Sequence, residues 1–365
     1  MSVGHLTSAT HEEAGIPDAL ASWVVQLPTL DKIEHMRYII TIELNERSCK
    51  MQREVDPVLQ QLRAAGKEIY SISRLNTMDQ CKYQAYMQYV NPYEFESEDG
   101  VYGFCGGKVH DALEQIVAHG ADVSTLEKAI DNTDTDVDIL GFSFPKDRQG
   151  NDTIREHWFD NARIFARHYQ PPKEECECER LLILPVDDKA YLQGYADLII
   201  HHDNKHVTLV DYKTSTEYRG DAIKHAGRQL IVYKKALELD GYIVDKVGWL
   251  FTKYFDVEYE LKSGAVKRKH DEWRKYTPYN NEHFLKPYFC EYEVTPELEK
   301  ECMEYLKYNI ELFRTLGKNA ENYPPCDISK DSFFCNNLCG FRKSCKYLKD
   351  FNSTFVKEDK YSDLF

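Results

Sequence analysis

A chain of 365 residues is long enough for one large domain or for one domain with an appendage, and its 42% hydrophobic and 29% charged content excludes wholesale disorder. With 61 acidic against 46 basic residues the net charge is −15, which disfavours a polyanionic partner on average charge alone. A local basic groove can still dominate, and metal-ion sites themselves need clustered carboxylates.

Nothing like a targeting leader follows Met1, and no run approaches the ~20 apolar residues of a membrane span, so a cytoplasmic protein is expected. Residues 1–68 read as a helical extension, with one amphipathic stretch from Pro17 to about Glu46 and another from Asp56 to Ala65. Gly66 ends it, and Ser71 is placed to cap the next helix. A further helix is expected over 108–118, followed at 121–138 by an acidic segment read as a solvated insertion. From Arg180 the pattern becomes that of strands, at 181–186, 191–200 and 206–213, then a helix from about Asp221 to Leu239 and a strand near Val247–Thr252. This order indicates an α/β layer architecture. Further on, Lys262, Lys267, Arg268, Lys269, His270, Arg274 and Lys275 form a basic stretch that suits either a solvated loop or phosphate contact.

Asp203-Asn204-Lys205 has hairpin-turn chemistry, and folding the chain about Asn204 sets Asp197 opposite Asp211. Opposed like charges are destabilising unless a cation lies between them or both face water. Asp211 and Lys213 alternate onto one face with Val207 and Leu209, which brings an ammonium group to the same place. Carboxylates that hold a hard cation beside a lysine suit phosphodiester hydrolysis. Asp-x-Lys alone is common, so its company matters. Gln229 and Tyr233 share a face of the following helix, and His110 and Glu114 share one upstream, after Gly106-Gly107, where they could complete a metal shell.

Eleven cysteines in a compartment that disfavours disulfides point to metal ligation by some of them. Cys335, Cys339 and Cys345 fall within eleven residues, Cys81 is the evident distant fourth ligand, and Cys326 is a rival. Cys176 and Cys178 read as small hydrophobes or exposed thiols.

Taken together, Ser73–Cys81, Gly106–Glu114, Gly194–Asp197, Asp211–Ser215 and Gln229–Tyr233 resemble, in order and approximate spacing, the RecB-like PD-(D/E)XK nucleases, over roughly residues 70–348. The likeness is to the branch with iron–sulfur exonucleases of CRISPR systems and AddB-type enzymes. The resemblance implies a restriction-endonuclease-like core, a mixed sheet flanked by helices over 69–348, with a C-terminal cysteine cluster and a tail over 349–365. It implies Mg2+ or Mn2+ on His110, Asp197, Asp211 and the Tyr212 carbonyl, Lys213 as catalytic lysine, Gln229 and Tyr233 in DNA contact and support of the site, and Glu114 as an outer member. It also implies a [4Fe-4S] cluster on Cys81, Cys335, Cys339 and Cys345. Three residues separate Cys335 from Cys339 where the family has two, and zinc suits four thiolates as well. The expected activity is a DNA exonuclease acting on single-stranded ends in replication, recombination or repair. No helicase phosphate-binding loop is present, so unwinding would fall to a helicase or recombination partner. A non-catalytic iron–sulfur DNA-binding scaffold and a zinc-stabilised structural protein are the competing readings.

Overall fold

The computed structural model describes residues 56–98, 100–147 and 149–362, the side chains of the last eight excepted. The predicted helix over Pro17–Glu46 lies outside the described residues. Two compact units divide the chain at Ala65. In the first, Asp56 caps helix α1 (Pro57–Ala64), its carboxylate accepting the Val58 amide at 2.9 Å.

The second unit is a three-layer α/β structure built on a seven-stranded mixed sheet: β1 (Glu68–Ser71), β2 (Glu175–Pro185), β3 (Ala190–His201), β4 (His206–Lys213), β5 (Ile243–Glu260), β6 (Val266–Glu272) and β7 (Glu282–Glu291). β4 is central, and its six consecutive buried residues, Val207 to Tyr212, suit a strand covered on both faces. It pairs antiparallel with β3 and parallel with β5, and the β4–β5 crossover runs through α7 (Asp221–Leu239), within the helix bounds expected from the sequence.

On one face of the sheet pack α2 (Ile72–Gln80), α7 and α8 (Pro296–Leu316), through residues such as Leu75, Met78, Leu230, Leu237, Leu306 and Ile310. On the other pack α4 (Val101–His119), α5 (Ser124–Ile139) and α6 (Thr153–His168). Between these layers in sequence, the short α3 (Lys82–Ala85) follows α2, and α9 (Lys346–Ser362) closes the chain. Ser71 caps α2 by accepting the Arg74 amide at 3.1 Å. The mixed sheet flanked by helices is the core architecture anticipated from the sequence.

The acidic segment 121–138 is not a solvated insertion. It forms α5, whose Leu126, Ile130 and Val137 are buried in the second core. Its acidic residues face α6: Arg155 binds Asp134 and Asp138, and Arg163 binds Asp131 and Asp134 at 2.8 and 2.7 Å. What read as a charge run is one wall of an arginine–carboxylate network between two helices. The basic stretch, in turn, runs through the loop after β5, along edge strand β6 and into the 3-10 turn Trp273–Lys275. Among the described residues no helix is long and apolar enough to cross a membrane.

Candidate active site

β3 changes neighbours along its length. Residues 190–193 pair with β1 and 198–201 with β4, so positions 194–197 lie where those two strands part. β2 follows β3 throughout, and both strands reverse their alternation here. Leu182, Leu184, Leu192 and Ala196 serve the first core, whereas Cys176, Cys178, Leu198 and Ile200, of the same parity, face the second. Glu179, opposite Asp197 in a register that is unbroken on either side, has a left-handed backbone (φ 51°) where β2 reverses. The reversal leaves Asp197 at the parting of the strands.

The hairpin forms as expected from its turn residues. Asp203 Oδ1 accepts the amides of Lys205 and His206, both at 2.7 Å, and the register Leu198↔Val210 carried one step on opposes Asp197 to Asp211. Instead of a ladder bond at that step, the Tyr212 amide donates to Asp197 Oδ2 at 2.8 Å. The same oxygen lies 3.6 Å from His110 Nδ1 on α4. Asp211, 2% exposed, ion-pairs through Oδ2 with Lys213 Nζ. The Tyr212 side chain points into the second core, its hydroxyl 3.1 Å from that of Tyr169, and its ring meets the His110 imidazole edge-on with centroids 5.9 Å apart, so the site receives its main chain directly and its ring as a brace for His110.

Electrostatics follow from burial. Desolvation lifts the Asp211 carboxyl to about 6, against the pull of Lys213 and with added repulsion from Asp197. For Asp197 burial also raises the pKa, but His110, Lys213 and the Tyr212 amide outweigh it and hold the group below the usual carboxylate range. His110 is its counterpart: burial opposes the imidazolium, and the bond to Asp197 overcomes this and raises its pKa. Lys213 stands above its ordinary value despite burial, held charged chiefly by Asp211.

The face of α7 supplies the next layer. Gln229 Nε2 donates to the Tyr233 hydroxyl at 3.3 Å, and the Tyr233 ring lies against Gly194, where a Cβ would collide with it. Sequence reading had not singled out Gly194 for this, although its place three residues before Asp197 is the available signal. Likewise a Cβ on Gly106 would come 3.0 Å from Thr214 Oγ1, so the glycine lets α4 seat His110 against the end of β4. Glu114, one turn beyond His110, neighbours Cys178, whose thiol burial above all pushes up to about 12.

Asp211-Tyr212-Lys213 therefore presents an acid, a spacer and a lysine at the end of a central strand, with a second acid opposite. A sequence model of the PD-(D/E)XK nuclease superfamily matches residues 69–346. The chain belongs to that superfamily. Among curated proteins none matches it. PD-(D/E)XK nucleases typically use Mg2+ or Mn2+. Among the described residues no three His, Cys, Asp or Glu side chains are already gathered as a metal-binding set. The fit is instead in the donors: two buried carboxylates facing each other across the hairpin are balanced by an ammonium and an imidazole, the balance a divalent cation would take over.

Elsewhere in this PD-(D/E)XK core, Cys81 between α2 and α3 lines one small cavity with Cys326, Cys335, Cys339 and Cys345. The Cys326 amide lies 3.4 Å from Cys81 Sγ, and Cys326 Sγ lies 3.6 Å from Cys335 Sγ. Burial raises Cys335 and Cys345 above the usual thiol range and Cys339 to about 11; the nearness of Cys81 adds to each. The structure thus brings the four expected cysteines and the rival into one place. Cys176 and Cys178 lie half-buried on β2 against the second core and do not line this cavity.

Proposed function

We propose that the chain is a Mg2+- or Mn2+-dependent DNA exonuclease acting on single-stranded ends in replication, recombination or repair. The observation that carries the reading is the meeting of His110, Asp197, Asp211 and Lys213 at the split in the sheet of a PD-(D/E)XK chain. In this reading Asp197, Asp211, His110 and the Tyr212 carbonyl hold the cation. When bound, the ion supplies a Lewis acid for the scissile phosphate and lowers the pKa of an attacking water. Lys213, released from Asp211, steadies charge developing on the phosphate or orients the water. Gln229 keeps the Tyr233 phenol fixed, and the ring against Gly194 in turn fixes the strand that carries Asp197.

The cysteines fit a [4Fe-4S] cluster on Cys81, Cys335, Cys339 and Cys345 that would tie α2 to the C-terminal segment. Closing so long a loop is a structural role, in line with a core whose first and last elements meet there. An intact set of four site residues argues against a scaffold that has lost activity.

Digestion of end-labelled single- and double-stranded DNA with manganese tests the first claim. Asp211→Ala and Lys213→Ala are each expected to lower the rate on the order of 100-fold or more while remaining folded at the assay temperature, with Tm reduced by loss of the buried ion pair. Undiminished cleavage by both variants would refute the assignment. Anaerobic purification tests the second: brown protein with iron and sulfide is expected, Cys81→Ala losing both with a drop in Tm. Colourless, zinc-loaded protein would support the zinc reading instead.

A further inference from the structure

A cavity of ≈ 550 Å3 opens beside the candidate site, within the range of pockets that hold small organic ligands. Three of its lining residues, Thr214 to Thr216, follow Lys213 directly in the chain. The cavity is joined to the site by α4 as well: Tyr102, Gly106 and His110, four residues apart, lie along one helix face, with Tyr102 lining the cavity, Gly106 touching Thr214 and His110 on Asp197. A second cavity of ≈ 600 Å3 shares Tyr102 and Leu338 with the first and continues the path away from Lys213.

The lining is aromatic and cationic. Trp158 and Tyr102 are half-buried, both bracing on Phe144, with ring centroids 6.4 and 5.4 Å away. Lys253 and Arg274 present two cations against the single carboxylate of Glu272, which binds Arg274 Nε at 2.6 Å and lies 3.7 Å from Lys253. A net positive cavity in a chain of net charge −15 suits a polyanion, and flat rings at its mouth suit the bases such a polymer carries.

We propose that this cavity receives an unstacked nucleobase of a single DNA strand next to the scissile phosphate, stacked against Trp158 and Tyr102, with Lys253 and Arg274 facing its backbone. This rests on the nuclease reading and deepens it. A duplex keeps its bases stacked inside, so the cavity would favour unpaired ends on physical grounds.

The test is binding, with calcium in place of magnesium, of an eight-nucleotide oligothymidylate and of an abasic strand of equal length and charge. The base-bearing strand is expected to bind roughly tenfold tighter and to quench tryptophan emission; Trp249 and Trp273 are fully buried and Trp158 is not, and with Trp23 replaced by Phe throughout, the change reports Trp158. Trp158→Ala should remove most of that preference and Trp158→Phe should keep it, with the quenching lost in both. Equal affinity of the two strands for the parent protein, or an undiminished preference in Trp158→Ala, would overturn the proposal. The outcomes separate the two readings. A chain that prefers base-bearing strands but cuts no DNA sinks the nuclease reading alone, and one that cuts DNA but binds abasic strands equally sinks the cavity assignment alone.

Discussion

Gly194 shows how a single missing side chain positions a candidate site. Tyr233 from α7 occupies the space a Cβ would need, so Gly194→Ala must push either the ring or β3 aside. Overpacking of this kind costs about 1–3 kcal/mol, to be read from denaturant midpoints. Pairing it with Tyr233→Ala should make the two effects less than additive, because the smaller residue reopens the space. Additive losses would show that the ring and the glycine do not oppose one another. Asp211 makes the complementary point: its carboxyl is buried at the end of a strand and raised to about 6 even with Lys213 against it, an arrangement that burial alone disfavours.

Among the elements, α5 is where charge pattern and packing pulled apart. Its acidic residues resemble a solvated loop, but Leu126 is fully buried beneath them. Leu126→Ala is expected to cost about 2–5 kcal/mol in urea unfolding, as for other core leucines, whereas a solvated loop would lose no more than ~0.5 kcal/mol. The apolar positions 126, 130 and 137 do fit a helix period, so the signal was present. It was masked because only the partner helix, with Arg155 and Arg163, reveals that the carboxylates are paired. The hairpin 198–210 was the opposite case. Turn residues and strand alternation are local, and they suffice to set its register.

On the scale of the whole molecule, Arg314 on α8 joins Asp187 of the β2–β3 turn and Glu68 of β1. The bond to Arg314 and the amides of Lys189 and Ala190 hold Asp187 at about 2, against an ordinary value of 3.8. A carboxylate with a depressed folded pKa contributes stability that is complete above its unfolded pKa and fades as pH falls through the folded one. The stability advantage of the parent over Arg314→Gln is therefore expected to be constant at neutral pH and to shrink between about pH 4 and 2, measured by denaturant titration across that range. A pH-independent difference would mean that Arg314 acts by packing alone.

By itself the sequence determined what depends on neighbours in the chain: the hairpin that opposes Asp197 to Asp211, the helix faces of His110 and of Gln229 with Tyr233, the serine cap of α2, and the triple of C-terminal thiols. Periodicity and turn chemistry act over a few residues, so they can be read from a string. Only the tertiary structure decided what depends on residues distant in the chain: the parting of β1 and β4 at Asp197, the reversal of alternation opposite Glu179, the seating of Tyr233 on Gly194, the entry of Cys326 beside Cys81, and the cavity beyond Lys213. Each arises where separate elements are brought together by burial of apolar surface, and no local pattern records which surfaces will meet.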